Sequence, residues 1–403
     1  MNHWVRMIGA VGLALGLMGP AWGQAAPKGD PIKIGSLNSM TGLNSTFGQS
    51  SDKGIRLAAE ERNAKGGVLG RPVEIATADT ESSPEKTPLA VLKLIEQDKV
   101  VGVLGEVASS RSIAAAPSCQ KAKIPLLSPA STNPKVTKLG TYIFRSCFVD
   151  DFQGVAIAKF TANDLKLKKA AILTDTKNDY STGLTKVLDD EFPKLGGTIV
   201  AKESYQAGDN NFKTQLTNIK NANPDIVFLP GYYTEVALIV TQARELGITC
   251  PFIGGDGWDS DVTLKTGGKA VEGCYFTNHV AAPRIDEKDL PALEKGDSPA
   301  RQALDAKYGK EQVDFVIKYM KRYNEVPDAM SVLGYDAAFI MFDAIERAKT
   351  TDGPALRDAL AETKDFPGVT GKITIGKDRN AIKPAVVLEI KNGTFEMVKR
   401  VEP

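Results

Sequence analysis

Short apolar, β-branched runs alternate with stretches of helical periodicity through the first part of this chain. The predicted strands are 32–37, 73–78, 100–104 and 124–127, and the predicted helices are 46–65, 84–97 and 110–121. Parallel strands need long crossover connections, usually helices, so this alternation is typical of a parallel sheet covered by helices. The pattern predicts a doubly wound α/β lobe.

The same alternation resumes after Asp150 and predicts a second lobe. Its predicted strands are 170–174, 198–204, 226–229 and 252–253, and its predicted helices are 152–164, 183–191, 212–221 and 234–246. Residues 298–362 are almost wholly helical, and Asn392-Gly393 between two apolar runs is a strong hairpin signal. The fold class predicted is α/β, with two doubly wound lobes.

The first residues have the pattern of a secretory signal peptide. Arg6 precedes an apolar run at 7–18, which Gly19-Pro20 breaks before small residues that end at Gly23. The run is shorter than the roughly 20 apolar residues that cross a bilayer. We predict a cleaved signal peptide at 1–23, export to the periplasm and, because no cysteine lies near the cleavage site, no lipid attachment.

Length and charge narrow the class of protein. After cleavage roughly 380 residues remain, which corresponds to about two domains. The formal net charge of the chain is +1, with acidic and basic residues interspersed. This balance argues against nucleic acid or an anionic membrane as a partner, because both select basic surfaces.

The four cysteines are compatible with disulfides in an exported protein. Their grouping along the chain favours pairing Cys119 with Cys147 and Cys250 with Cys274. The alternative is four buried thiols, since connectivity cannot be deduced from sequence alone. A metal site is not expected, because the chain has no CxxC motif and retains only His279 after cleavage.

Ligands of doubly wound sheets bind beyond the carboxyl ends of the strands, so the loops there are the candidate site. Ser109 follows one predicted strand and opens a helix, where backbone N–H groups and a hydroxyl suit a carboxylate. The alternative is that Ser109 or Ser110 only caps the helix. The hydroxyl-rich loop 128–134 follows the next predicted strand, and the two loops together could grip a small polar group.

The second lobe offers tyrosines and one acid at equivalent strand ends. Tyr180 and Tyr232 each follow a predicted strand, and Asp256 lies between two glycines after another. The glycines allow close backbone approach, and the carboxylate suits a ligand ammonium. The alternative for Asp256 is a turn residue, since Asp and Gly both favour turns.

A series of short motifs, spread in order along the chain, makes the sequence resemble the branched-chain amino acid group of periplasmic binding proteins, which serve ATP-driven importers. The motifs are Ile34-Gly35-Ser36, Thr41-Gly42, Gly54, the run 63–70, Asp79, Ser109-Ser110, the run 128–132, Phe144-Arg145, the run 180–183, the run 209–212, Pro224-Asp225 and the run 334–337. The resemblance covers nearly the whole mature chain. It implies the type I fold, two lobes joined by a three-crossing hinge that close over the ligand.

The resemblance also implies lobe boundaries and ligand contacts. Lobe 1 would comprise 31–148 and 281–382, and lobe 2 would comprise 149–280 and 383–403. The residues expected to contact the ligand are Phe47, Ser109, Ala130, Ser131 and Thr132 from the first lobe and Tyr180, Tyr232 and Asp256 from the second. Asp256 would meet the ligand ammonium, and the first-lobe residues would hold its carboxylate.

Glu106 departs from the family pattern as an additional acid beside the carboxylate loop. It is a candidate contact for the ligand side chain, and the alternatives are a solvated acid or a hinge salt bridge. Because the resemblance constrains the side-chain pocket least, a preference for branched-chain ligands does not follow from it.

The function expected from the sequence is a solute-binding protein that captures an amino acid and delivers it to the permease subunits of an ABC transporter. Two alternatives stay open: an aromatic or aliphatic carboxylate ligand, and a stand-alone sensory receptor. An enzyme is not expected, because the sequence lacks a metal-ligand cluster, a phosphate-binding glycine motif and a Gly-x-Ser-x-Gly elbow. No cofactor and a monomeric state are expected.

Overall fold

The computed structural model describes residues 26–403. The predicted signal peptide, 1–23, lies outside the described residues. Within the described range, no helix combines the length and the apolar character needed to cross a bilayer.

The first part of the chain builds a parallel sheet with helices on both faces. Its elements are β1 (Ile32–Asn38), α1 (Ser45–Ala64), β2 (Val73–Asp79), α2 (Thr87–Glu96), β3 (Gly102–Gly105), α3 (Ser109–Ala122), β4 (Leu126–Ser128), α4 (Lys135–Lys138) and β5 (Ile143–Arg145). The strand order in the sheet is β2-β1-β3-β4-β5. The order reverses at β1, so the ends of β1 and β3 flank the point where ligands bind in such sheets.

The second part repeats the architecture. Its elements are α5 (Asp150–Lys159), β6 (Lys169–Asp175), α6 (Asp179–Lys194), β7 (Thr198–Tyr205), α7 (Lys213–Ala222), β8 (Ile226–Phe228), α8 (Tyr233–Glu245), β9 (Phe252–Gly254), α9 (Asp261–Gly267) and β10 (Tyr275–Asn278). A π-helical turn, Phe160–Asp164, extends α5, and a 3₁₀ turn, Asp256–Trp258, follows β9.

The chain then returns to the first lobe and ends in the second. The returning elements are α10 (Leu290–Leu293), α11 (Pro299–Tyr308), α12 (Lys310–Tyr323), α13 (Ala329–Ala348), α14 (Gly353–Ala361), β11 (Phe366–Gly368), β12 (Gly371–Ile375) and β13 (Ala381–Ile382). Two last strands, β14 (Ala385–Lys391) and β15 (Thr394–Val401), complete a seven-stranded sheet in the order β15-β14-β10-β9-β8-β6-β7. The chain therefore crosses between the lobes three times, after β5, after β10 and after β13.

Most predicted elements are confirmed, and the exceptions are short. The hairpin at Asn392-Gly393 joins β14 to β15 with positive φ at both residues, 53° and 69°. The elements that the sequence did not predict have between two and seven residues, and they are β5, β10, β11, β13, α4, α9 and α10. Elements of this length contain too few positions to show a period.

The predicted disulfides are wrong, because all four cysteines are free thiols. Cys119 packs into the apolar core beneath the first sheet, and burial raises its pKa to about 12. Cys147 lies apart from it, with its Sγ 3.5 Å from the carbonyl oxygen of Ser131. Sequence proximity therefore does not place these two side chains together.

Cys250 and Cys274 precede neighbouring strands but are also unpaired. The Arg244 guanidinium lies against both residues, donating to the carbonyl oxygen of Cys250 at 2.7 Å and lying 3.5 Å from Sγ of Cys274. The alternative that the sequence left open, four unpaired thiols, is the one that the structure shows, with Cys250 partly exposed.

A tight helix contact in the first lobe joins α1 to α13 through two glycines. A Cβ at Gly334 would lie 2.5 Å from the carbonyl oxygen of Ser51, and a Cβ at Gly54 would overlap the carbonyl oxygen of Ser331. Both glycines belong to the motifs that carry the family resemblance. Their role is to let two helix backbones touch, because no side chain fits between them.

We predict that Gly54→Ala and Gly334→Ala each destabilise the protein by about 1–3 kcal/mol, because the added methyl group forces the two helices apart. Thermal unfolding followed by circular dichroism measures the effect. Gly296→Ala is the matched control, since a Cβ there meets no atom within 4 Å. Equal melting temperatures for all three variants would contradict the account of this contact.

Candidate functional site: the cleft between the lobes

The first wall of the cleft is the N-terminus of α3. The helix begins at Ser109 after Ala108, which has extended backbone angles and provides no side-chain cap. Neither serine caps the helix: the Ser109 hydroxyl accepts from the Asn133 amide at 3.1 Å, and the Ser110 hydroxyl bonds Asp179 of the second lobe. The first N–H groups of a helix lack intrahelical acceptors, so this end of α3 suits an anion.

The loop after β4 lies beside this helix end. Ala130, Ser131 and Thr132 are at most 3% exposed. The Ser131 hydroxyl is used within the first lobe, because it lies 2.7 Å from the Ser112 hydroxyl and donates to the Glu106 carbonyl oxygen at 2.9 Å. Ser131 is one of the three predicted ligand contacts in this loop. Because its hydroxyl is already hydrogen-bonded within the first lobe, its side chain stabilises the loop and is not free for a ligand.

The opposite wall carries Asp256 at the start of the 3₁₀ turn after β9. Its Oδ1 accepts from the Gln153 amide at 2.8 Å, and its Oδ2 lies 3.1 Å from Nε2 of His279. The glycines on either side allow the close approach that the sequence predicted. A Cβ at Gly257 would lie 2.5 Å from the carbonyl oxygen of Gly231.

His279 positions Asp256 from the hinge. The imidazole stacks on Phe148 with ring centroids 3.8 Å apart, and burial lowers the pKa of His279 despite the neighbouring Asp256. A neutral ring with its proton on Nε2 donates to the Asp256 carboxylate. His279 thus orients the acid without neutralising its charge.

Aromatic rings fill the space between the two walls. The Tyr180 and Tyr232 rings stack with centroids 5.2 Å apart, and Phe47 of the first lobe meets Tyr232 edge-on at 6.2 Å. The Tyr180 hydroxyl accepts from the Gly257 amide at 3.3 Å. The structure therefore brings the predicted aromatic residues of both lobes together beside Asp256.

Acceptor atoms without donors surround Asp256. Both carboxylate oxygens of Asp150 and the Gln153 Oε1 are buried, and none accepts a hydrogen bond of good geometry from the described residues. Asp150 is fully buried. Burial, together with the Asp256 charge, raises the pKa of Asp150 well above its ordinary value of 3.8, and the nearby Thr132 hydroxyl, which makes no hydrogen bond of good geometry to it, and the Arg145 charge oppose this shift.

Glu106 is turned into the first lobe. Its Oε1 accepts from the Ser39 and Thr80 hydroxyls, at 2.5 and 3.1 Å, and lies 3.0 Å from Nε of Arg111, while its Oε2 accepts from the Ala108 amide at 2.7 Å. Its carboxylate is fully engaged and 0% exposed. Of the three interpretations that the sequence left open for Glu106, the salt bridge describes it best. Its partner is Arg111, which the sequence did not indicate as part of the site.

The two lobes are closed on each other in this structure. Asn133 donates to the Asp179 carbonyl oxygen at 2.6 Å, and the Tyr233 hydroxyl donates to the Leu43 carbonyl oxygen at 3.0 Å. Each of these bonds joins one lobe to the other. The N-terminus of α3 on the first lobe thus lies across the cleft from the wall that carries the buried acids Asp150 and Asp256.

The sequence model of the family described as periplasmic binding protein matches residues 31–394. This chain belongs to the periplasmic binding protein family. The predicted resemblance and the type I fold are both confirmed.

Several proteins that resemble this binding protein are described as binding amino acids. The chain is 34% identical to an amino acid binding protein of Pseudomonas aeruginosa over 66% of this chain and 71% of that protein. The leucine binding protein LivK of Thermotoga maritima superposes with a TM-score of 0.82 at 36% identity, over 92% of this chain and 99% of that one. The branched-chain substrate-binding protein LivJ of Streptococcus pneumoniae, in complex with isoleucine, gives 0.81 at 31% identity, over 93% and 100%.

Three residues of this binding protein were not predicted as parts of the site: Asp150 and Gln153 near Asp256, and Arg111 beside Glu106. Asp150 lies where the chain crosses between the lobes, and this position is the one sequence signal that could have found it. Gln153 and Arg111 lie within predicted helices, and nothing in the sequence of those helices showed which of their residues would reach the cleft.

We predict that Asp150→Asn raises the melting temperature of the ligand-free protein at pH 7.5 and leaves it unchanged near pH 4. A raised pKa in the folded state means that the stability associated with Asp150 is fully present below the unfolded value of 3.8 and is lost as the pH rises through the folded value. The neutral amide has no such loss, so the expected gain at pH 7.5 is on the order of 1–3 kcal/mol.

Differential scanning fluorimetry across this pH range measures the effect. Asp151→Asn is the matched control, because Asp151 is the next residue on the same helix and is exposed. A gain that is the same at both pH values, or that the control reproduces, would contradict the raised pKa.

Proposed function

We propose that this protein captures an amino acid in the cleft between its lobes and delivers it to the permease subunits of an ABC importer. The observation that carries the proposal is the set of unpaired acceptor atoms around Asp256, opposite the N-terminus of α3. An α-ammonium supplies three N–H donors and a positive charge to the wall that carries Asp256, and an α-carboxylate suits the wall formed by the N-terminus of α3.

The α-ammonium would bind the Asp256 side. Asp150 Oδ1, Asp150 Oδ2 and Gln153 Oε1 are the buried acceptors available to it, in addition to the Asp256 carboxylate. Charge-assisted hydrogen bonds of this kind are about twice as strong as neutral ones. Binding would also lower the pKa of Asp150, because a cation beside the carboxyl group favours its ionised form.

The α-carboxylate would bind the first lobe, at the N–H groups of α3 with the Ser109 and Thr132 hydroxyls beside them. Because one end of the ligand belongs to each lobe, the closed arrangement is favoured only when both ends are present. This coupling is how a binding protein presents its loaded state to a permease.

A simple aromatic or aliphatic carboxylate fits this cleft less well. It would use the first wall but would leave Asp150 and Asp256 buried without a cation, which is costly in a dry site. The names of the relatives agree with the amino acid: two of the three proteins compared above are described as binding leucine or isoleucine.

Three further statements belong to the proposal. The lobes would be divided as 31–148 with 281–382 and 149–280 with 383–403, which agrees with the three crossings between the sheets. The protein would act as a monomer. It would reach the periplasm by means of the signal peptide predicted at 1–23 and would carry no lipid.

We expect at least one of the twenty amino acids to raise the melting temperature of the protein after it has been unfolded in guanidinium, dialysed and refolded to remove bound ligand. A ligand at a hundredfold excess over its Kd stabilises the protein by about 2.7 kcal/mol. Asp256→Asn should weaken that ligand by at least about thirtyfold in calorimetric titration, because truncating one partner of a buried charge pair costs about 2 kcal/mol or more.

Asp190→Asn serves as the control, since Asp190 is an exposed acid of the same lobe paired with Lys186. No stabilisation by any amino acid would overturn the proposal. If Asp256→Asn instead left the affinity unchanged, the ammonium would have to bind elsewhere.

A further inference from the structure

A second cavity opens between the lobes beside the proposed amino acid site. Its volume is about 380 Å³, and it is lined by residues of both lobes, including Asn44, Ser82 and Arg111 from the first and Lys177 and Tyr232 from the second. Tyr232 belongs to both places, because its ring also stacks on Tyr180 beside Asp256. The cavity is therefore adjacent to the proposed position of the ligand's α-ammonium and α-carboxylate, on the side where a ligand side chain would extend.

Arg111 forms the buried floor of this cavity and is only 2% exposed. Its Nε lies 3.0 Å from the Glu106 carboxylate, and its Nη1 is 3.4 Å from the Ser82 carbonyl oxygen. Neither Nε nor Nη2, both buried, makes a hydrogen bond of good geometry with residues 26–403, and of the two only Nη2 also lacks a nearby carboxylate. A buried guanidinium donor without an acceptor is costly, so Nη2 points to a ligand group.

The pair of Glu106 and Arg111 is neutral as a unit. Glu106 is saturated by Ser39, Thr80 and the Ala108 amide in addition to Arg111. It therefore has no acceptor left to offer a ligand, whereas Arg111 retains N–H donors. The floor of the cavity thus presents hydrogen-bond donors with little net charge.

The position of Arg111 fixes which part of a ligand can reach it. It lies two residues after Ser109 on the first turn of α3, the helix end proposed to hold the α-carboxylate. Tyr232 lines the same cavity as Arg111, and its ring stacks on Tyr180, whose hydroxyl accepts from the Gly257 amide next to Asp256. A side chain that leaves the α-carbon along Tyr232 would end at Arg111.

We propose that Arg111 is a specificity-determining residue that donates to an acceptor oxygen at the end of the ligand side chain. The ligand class is then an amino acid with a carboxamide or carboxylate side chain rather than a branched aliphatic one. This inference rests on the proposed function, because it takes the α-carboxylate and α-ammonium positions from it. An aliphatic side chain would leave Nη2 unpaired, which is equivalent to about a tenfold to hundredfold loss of affinity.

The test is calorimetric titration of the refolded, ligand-free protein with glutamine, glutamate, leucine and norleucine. Glutamine or glutamate should bind at least about tenfold more tightly than leucine and norleucine, which have similar size without the oxygen. In Arg111→Met this preference should fall about tenfold or more. Because Arg111→Met leaves Glu106 buried alone and could unfold the lobe, Glu106→Gln/Arg111→Met is measured beside it.

Lys86→Met is the control for loss of a positive charge in the same lobe, since Lys86 is exposed and paired with Glu81. Tighter binding of leucine or norleucine by the wild type would overturn the inference and leave amino acid capture intact. An unchanged preference in the double variant would also overturn the inference, because the preference would then not depend on the Arg111 side chain. Binding of none of the four would count against the inference, and failure of all twenty amino acids in the thermal screen would show that the proposed function itself has failed.

Discussion

The structure depends on one electrostatic constraint: two buried carboxylates, Asp150 and Asp256, share one wall of the cleft, and among residues 26–403 no cationic side chain is hydrogen-bonded to either. Asp256 is held by a neutral imidazole and an amide, and neither of these removes its charge. The protein offsets the cost only in part, by raising the pKa of Asp150. A wall built in this way favours a cation from outside, and the opposing N-terminus of α3 favours an anion, which is why we propose a ligand that carries both charges.

The rest of the fold places these two walls opposite each other. The reversal of strand order at β1 brings the start of α3 to the edge of the first sheet, and the 3₁₀ turn after β9 brings Asp256 to the edge of the second. Three crossings hold the edges in register, and His279 on one of them contacts Asp256 directly. The tight α1 to α13 contact, made through Gly54 and Gly334, joins the helix that follows β1 to one of the helices with which the chain returns to the first lobe.

The sequence predicted the architecture well, because long alternating elements and ordered family motifs both report on the backbone. It also predicted that Asp256 and the start of α3 lie at strand ends, since the topology of doubly wound sheets determines where those ends meet. It failed where the decisive property was the surroundings of a side chain. The pairing of Cys119 with Cys147 needed their separation in space, and the inward orientation of Glu106 needed the donors around it, neither of which spacing along the chain reveals.

The most direct measurement is a crystal structure of the protein with the ligand it retains on purification or with the tightest ligand found in solution. The account predicts an amino acid whose ammonium contacts Asp256 and Asp150 and whose carboxylate lies at the N-terminus of α3, beside Ser109. A ligand that lacks an ammonium, or an amino acid bound with its carboxylate toward Asp256, would contradict the account even though the fold would stand.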